Sequence, residues 1–212
     1  MARLVSGRVL SGTLFGFANR CFRLGSRRLL RRSGNGGFLA RRSLDRSRET
    51  PRMDDGTGSI QLVPHTREGL LAMVAAMEPA DRAQVSPDWL ARVQATDVPD
   101  PWVFGFQAVL RGTGVAVGTG GFRTPPADGR VEIAYGIDAE YRGQGYATET
   151  AAGLTRFALA SGRVTTVFAH TLPEPNASTR VLTKCGFRRT GDVIDPEDGL
   201  VWRWEYAPDA VG

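Results

Sequence analysis

Cysteine and histidine are scarce in this 212-residue chain: Cys21 and Cys185, His65 and His170. Two cysteines exclude a disulfide framework and any cysteine-rich zinc site. The two histidines stand far apart with no ligand-spaced cysteine or carboxylate, so they read as structural groups rather than metal ligands. Long apolar runs are missing too. The longest uncharged stretch near the start, Val9 to Asn19, is 11 residues and cannot span a bilayer. No Gly-Lys-Ser/Thr follows any glycine-rich turn, which excludes a Walker-type nucleotide loop. No internal repeat occurs.

What is present is unevenly distributed. Residues 1–52 hold 13 arginines, no lysine and only two acids, Asp45 and Glu49, whereas residues 53–212 hold 14 basic and 20 acidic residues. The net charge of +5 is therefore a property of the leader. The remainder is net negative and gives no reason to expect nucleic acid as a partner. Residues 1–52 lack a core-forming pattern and read as a disordered Arg-rich leader. Two origins fit: an organellar transit peptide, which is Arg-rich, Ser-containing and acid-poor, or translated sequence ahead of a start at Met53. The body is then 53–212.

Within the body, periodicity predicts an ordered set of elements. A short strand at Ile60 to Val63 precedes a helix capped by Thr66 and running to Met77; a second helix starts at Ser86-Pro87-Asp88. Trp102 to Leu110 and Val115 to Phe122 read as strands joined at Arg111-Gly112-Thr113-Gly114. Strand Val131 to Ile137 leads through a loop to a helix from Gly145 to Ala160. Strand Val164 to Thr171, a helix from Ser178 to Cys185 and strands Phe187 to Val193 and Leu200 to Tyr206 complete the chain. This order predicts an α/β fold: a mixed, mostly antiparallel sheet of about seven strands, about four helices and one central parallel crossover.

The chemically loudest segment is Tyr135-Gly136-Ile137-Asp138-Ala139-Glu140-Tyr141-Arg142-Gly143-Gln144-Gly145-Tyr146-Ala147-Thr148. Glycines between a strand and a helix let the backbone turn and aim N–H groups along the positive end of the helix dipole. Arg142 adds guanidinium donors suited to phosphate. A Rossmann fingerprint fits poorly, because Thr148 takes the third glycine's place. On spacing alone, an anion site and a plain turn are both open.

Arg142-Gly143-Gln144-Gly145-Tyr146-Ala147 matches the Arg/Gln-x-x-Gly-x-Gly/Ala pyrophosphate motif of the GNAT N-acetyltransferase superfamily, which the chain resembles over about Ile60 to Tyr206. Asn176 to Phe187 resembles the helix and Gly-Phe turn that follow that family's fifth strand. Glu132-Ile133-Ala134-Tyr135, Ala147-Thr148-Glu149 and Ser178-x-Arg180-Val181-Leu182-x-Lys184-x-Gly186-Phe187 point to the RimJ and RimL branch, which acetylates ribosomal-protein N-termini. The resemblance implies the GNAT acyl-CoA N-acyltransferase fold with a splayed central parallel pair. It implies acetyl-CoA as co-substrate, no metal, and an amine acceptor on a protein N-terminus or a small molecule. The pyrophosphate would lie on the amides of Gly143, Gln144, Gly145, Tyr146 and Ala147, with Arg142 and Thr148 beside them. The pantetheine arm would pair like a strand beside Tyr135 and Ile137. The setting implied is cytoplasmic, or organellar if the leader is a transit peptide, and a homodimer is compatible with it.

Acetyl transfer needs a neutral amine. At pH 7 an α-amine of pKa about 8 costs roughly 1.4 kcal/mol to deprotonate, and a lysine of about 10.4 roughly 4.6 kcal/mol. Glu132, in a strand expected to be central, is the candidate base, burial there raising its pKa; the alternative is a strand-end glutamate paired with Arg123 or Arg130. Many family members place a proton-donating tyrosine five residues before the Gly-Phe phenylalanine, where this chain has Leu182. The resemblance then makes Ser178 the group near the sulfur, with a helix cap as its other reading. Asn176 has the same two readings, pantetheine contact or cap, and lies two residues before Ser178 where relatives often place it three. Loss of the tyrosine also keeps a non-catalytic CoA-binding module open. Cys185 reads as a packed thiol, Glu149 as a helix-dipole partner, and Trp202 and Trp204 as core.

Overall fold

The computed structural model describes residues 58–208 apart from Gln84, Pro196 and Glu197. The leader and the start expected at Met53 lie outside the described residues. Strand β1 (Ile60–Pro64) is followed by helix α1 (Arg67–Ala75), the single turn α2 (Pro79–Arg82), α3 (Pro87–Ala95) and the turn α4 (Pro101–Phe104). Local chemistry sets these starts. Thr66 Oγ1 accepts from Gly69 N at 3.0 Å, Ser86 Oγ from Trp89 N at 3.3 Å, and Asp100 Oδ1 from Trp102 N at 2.9 Å. Leu70, Val74, Met77, Val85, Trp89, Val93 and Phe104 bury together as a small core of their own.

The expected strand from Trp102 is corrected here. Asp100 caps and Pro101 opens a helical turn, so residues 102–104 coil before Gly105, at φ 66°, turns the chain into β2 (Phe106–Leu110). Asp100-Pro101 is the same start signal as Ser86-Pro87, and it overrides the strand propensity of an apolar run too short to show a period.

Strands β3 (Ala116–Phe122) and β4 (Arg130–Ile137) follow, then a 3₁₀ turn (Ala139–Tyr141), the long helix α5 (Tyr146–Ala160), β5 (Thr166–Thr171), α6 (Ala177–Lys184), β6 (Arg188–Asp195) and β7 (Gly199–Tyr206). All seven strands join one open sheet in the order β1-β2-β3-β4-β5-β7-β6, parallel only between β4 and β5. That is the mixed sheet the element order predicts, with four longer helices and two single α-turns among the described residues. Helix α5 lies across one face, where Ala151, Leu154 and Ala158 pack with Val131, Ile133, Val167, Ala169, Leu182 and Trp204.

Small residues let these layers close. A Cβ at Gly120 would lie 2.9 Å from Thr150 Cγ2, so α5 rests directly on the β3 backbone. At Gly118 it would collide with the Gly136 carbonyl oxygen and lie 3.0 Å from Ile137 Cα, both backbone atoms that cannot rotate away. Gly118→Ala is therefore expected to destabilise the fold by about 2 kcal/mol, read as a lower urea midpoint with unchanged m-value.

Candidate functional site

Strands β4 and β5 pair for three steps, Arg130 with Thr166, Val131 with Val167 and Glu132 with Phe168, and then part. Each is held from outside: β4 pairs with β3 from Ile133 through Ile137, and β5 with β7 through Thr171. A gap therefore opens along the second half of β4, edged by the backbone of Ala134 to Ile137.

The glycine-rich loop lies at the end of β4. Gly143 and Gly145 have φ of 79° and 89°, and a Cβ at either would meet nothing within 4 Å. Glycine is required there for backbone conformation, not for space. Helices α1, α3, α4 and α6 each have a side-chain cap, whereas α5 begins at Gly145 without one. Thr148 and Glu149 N–H groups return to the Gly145 carbonyl at 2.9 and 3.2 Å; the amides of Gly143 to Ala147 precede the first such bond. This is the arrangement that binds anions. Arg142 Nε donates to the Ile137 carbonyl at 2.9 Å, tying the loop to the strand end, and Tyr146 Oη donates to Gln144 Oε1 at 3.1 Å. Asp138 stands between strand and loop. Burial, followed by repulsion from Glu140, pushes its carboxyl up to about 6 against the pull of Arg142.

On the sheet face away from α5, Glu132 joins a buried polar cluster. Its Oε1 lies 3.4 Å from Arg123 Nη1 and 3.0 Å from His170 Nδ1, and Arg123 Nη1 also donates to Asp195 Oδ2 at 3.0 Å. Side-chain exposures of 13% for Glu132, 14% for Arg123, 11% for His170 and 9% for Asp195 place the whole cluster out of bulk water. Glu132 therefore pairs with Arg123, while Arg130 pairs with Glu205. His170, read from sequence as an isolated structural residue, is brought against Glu132, and its Nε2 is buried with no hydrogen-bond partner. The sequence signal was alternation: Phe168 and His170 share one face of β5, and Val167, Ala169 and Thr171 the other. Only the β4–β5 register shows that this face is Glu132's.

The remaining candidates sort by contact. Asn176 acts as a cap, its Oδ1 accepting from Thr179 N at 3.0 Å and its Nδ2 donating to the Glu174 carbonyl at 3.1 Å. Ser178 is exposed in the first turn of α6, and Leu182 is core at 1% exposure. Tyr135 has a buried hydroxyl without a partner, and burial, then Cys185, pushes its pKa up, so it is a phenol. Cys185 Sγ lies 3.4 Å from the Thr148 carbonyl, and its thiol is also raised by burial. Glu149 does more than favour a dipole: its Oε2 accepts from Ile60 N at 2.9 Å, fastening β1 to α5. Trp204 is core, whereas Trp202 is half-buried beneath the Arg189 guanidinium at 4.2 Å. His65 sits apart from the site, between β1 and α1, where burial pushes its pKa down to about 4. Among the described residues no three His, Cys, Asp or Glu side chains converge as metal ligands, and no helix is long and apolar enough to cross a membrane.

Residues 63–188 match the acetyltransferase (GNAT) domain model. The chain belongs to the GNAT acetyltransferase family. No curated protein matches its sequence. Among solved structures, it is similar to a GNAT-family acetyltransferase from Bacillus anthracis at 16% identity, covering 71% of this chain and 95% of that one with a TM-score of 0.52. It is also similar to an aminoglycoside acetyltransferase solved with coenzyme A and kanamycin, at 20% identity, 71% and 95% coverage and a TM-score of 0.54. A ribosomal-protein alanine acetyltransferase from Vibrio fischeri aligns at 14% identity, 72% and 94% coverage and a TM-score of 0.54. At these identities the structures share the GNAT fold. The parted β4 and β5 and the uncapped start of α5 are thus parts of a GNAT acyltransferase domain.

Because Asp138 is protonated more readily folded than unfolded, its contribution to stability is greatest below about pH 4 and declines as pH rises to about 6. Asp138→Asn is expected to raise the unfolding free energy at pH 7.5 by about 1–2 kcal/mol after allowing for partial exposure, read from urea titration, and to leave it nearly unchanged at pH 4. Arg142→Ala should raise the Asp138 titration further, as followed by carbon NMR of the carboxyl.

Proposed function

We propose that this GNAT domain is an acetyl-CoA-dependent N-acetyltransferase acting on a primary amine, and that the acceptor is the α-amine of a protein N-terminus, as in the RimJ and RimL branch. The observation that carries the reading is the gap between β4 and β5 ending at the uncapped N-terminus of α5. A strand-like ligand with an anionic end fits that combination. Free β4 backbone groups suit an extended pantetheine amide chain, and helix amides suit a pyrophosphate.

In this reading the amides of Gly143, Gln144, Gly145, Tyr146 and Ala147 hold the pyrophosphate, with Arg142 and Thr148 at its edge. The backbone of Tyr135 and Ile137 pairs with the pantetheine, and the phenol of Tyr135 lies beside that path. Acetyl-CoA supplies the activated acyl group as a thioester. Ser178, in the exposed first turn of α6, donates a hydrogen bond to the departing thiolate, and Asn176 fixes that turn through its cap. Glu132 lies on the opposite face, where an amine would approach. An α-amine suits this site better than a lysine, since deprotonating it at pH 7 costs about 3 kcal/mol less.

Two other readings stay distinguishable. A small-molecule amine would share the donor site and differ only in acceptor. A non-catalytic CoA-binding module, suggested by Leu182 in the tyrosine position, would bind without transfer. Calorimetry of the full-length chain with acetyl-CoA is expected to give micromolar binding. Gly145→Glu, which forces a side chain into φ 89° and places a carboxylate at the amides, should weaken it at least 100-fold. Equal binding by the variant would sink the assignment of the loop. In a transfer assay with the tripeptide Ala-Ala-Phe, kanamycin and spermidine, the peptide is expected to be acetylated fastest. Faster acetylation of kanamycin or spermidine would select the small-molecule reading, and binding without transfer the module.

A further inference from the structure

We infer that His170 is the base that takes the proton from the acceptor amine, and that Glu132 acts through it as a positioning residue. The inference rests on the acetyl-transfer reading and assigns a role within it. His170 lies two residues beyond Phe168, the β5 member of the last parallel pair, on the same face as Glu132, where the two strands begin to part. Its Nδ1 lies 3.0 Å from Glu132 Oε1, while Nε2 is buried and has no partner. A carboxylate facing Nδ1 selects the tautomer with the proton on Nδ1, which leaves a bare lone pair on Nε2. A buried acceptor without a donor is what an incoming ammonium would satisfy.

Glu132 is less suited to take the proton itself. The same oxygen that faces His170 also faces the Arg123 guanidinium, which is shared with Asp195. With a guanidinium and an imidazole nitrogen already against that one oxygen, Glu132 is placed to hold the ring rather than to meet an incoming amine. The other charged groups around His170 are Arg203, opposite it on β7, which pairs with Glu205, and Asp195 and Asp198 at the end of the β6–β7 hairpin, both of which act on Arg123. Phe168 packs edge-on against the ring at 5.6 Å and limits its rotation.

The step balances. The ammonium gives one proton to His170 Nε2, and Glu132 stabilises the imidazolium. The amine nitrogen then bonds to the thioester carbonyl carbon, the C–S bond breaks, and the second proton leaves nitrogen for sulfur. The products are the amide and free CoA thiol, and the imidazolium returns its proton to solvent.

Two measurements on the full-length protein test this. In ¹⁵N-histidine-labelled protein, the ring signals lost in His170→Asn belong to His170, since the chain has two histidines. They are expected to show Nδ1 protonated and Nε2 bare near pH 8; protonation at Nε2 would overturn the inference. In acetylation of Ala-Ala-Phe, His170→Asn keeps an N–H for Glu132 but lacks Nε2. It should lose about 100-fold in kcat/KM at pH 7, rising with unit slope towards the amine pKa of about 8, with acetyl-CoA binding unchanged. His170→Gln serves as a second variant should His170→Asn fold poorly. Glu132→Gln should fall in the same direction, and the double variant no further than His170→Asn alone. A near-normal rate for His170→Asn beside a collapsed rate for Glu132→Gln would make Glu132 the base and overturn the inference while acetyl transfer stands. Failure of the wild type to bind acetyl-CoA or acetylate any amine would overturn both.

Discussion

Two parallel strands that pair for three steps and then separate form the constraint around which this molecule is arranged. Exposed backbone groups in the middle of a sheet are unfavourable unless something else bonds them. The separation persists because each strand is pinned on its far side, β4 by β3 and β5 by β7, while α5 spans the crossover on one face. Relaxing the gap would require breaking one of those ladders or moving a helix already seated on glycine backbone. The parts of the candidate site take their positions from this separation: the glycine-rich loop and uncapped start of α5 at its far end, and the Glu132 and His170 pair where it begins.

The two faces of the sheet divide the chemistry. Under α5 the face is aliphatic and aromatic, and it fixes β4, β5 and α6 relative to one another. The opposite face carries Arg123, Glu132, His170 and Asp195 in one buried network, with Arg130, Arg203 and Glu205 beside it. Charges buried at this depth persist only when paired. Asp195 belongs to the end of β6, the strand at the far edge of the sheet, so its pairing with Arg123 fastens the last hairpin over the site. A helix start with uncapped amides, as in α5, attracts an anion locally and needs no basic surface around it.

Much of this was legible in the residues. Caps at Thr66 and Ser86, the Arg111–Gly114 hairpin, the alternation in β4 and the glycine loop before α5 are short-range signals, and each formed where its chemistry placed it. The Trp102 region was misread because three apolar residues carry no period, and Asp100-Pro101 outweighed their strand propensity. Asn176 carried two readings, cap and pantetheine contact, that its own sequence could not separate; the cap contacts are formed. His170 was passed over because its partner, Glu132, stands 38 positions away and no short-range pattern links the two.

By itself, then, the sequence determined the order of elements, the family motif and the conformational need for glycine at 143 and 145, since all of these depend on neighbours a few residues apart. Only the tertiary structure decided that Glu132 faces His170, 38 positions away, and that Arg123 reaches Asp195, 72 positions away. The physical reason is register. A one-step slip between parallel strands turns a side chain to the other face of the sheet, and that register is set by the packing of α5 and the outer ladders, not by the residues it brings together.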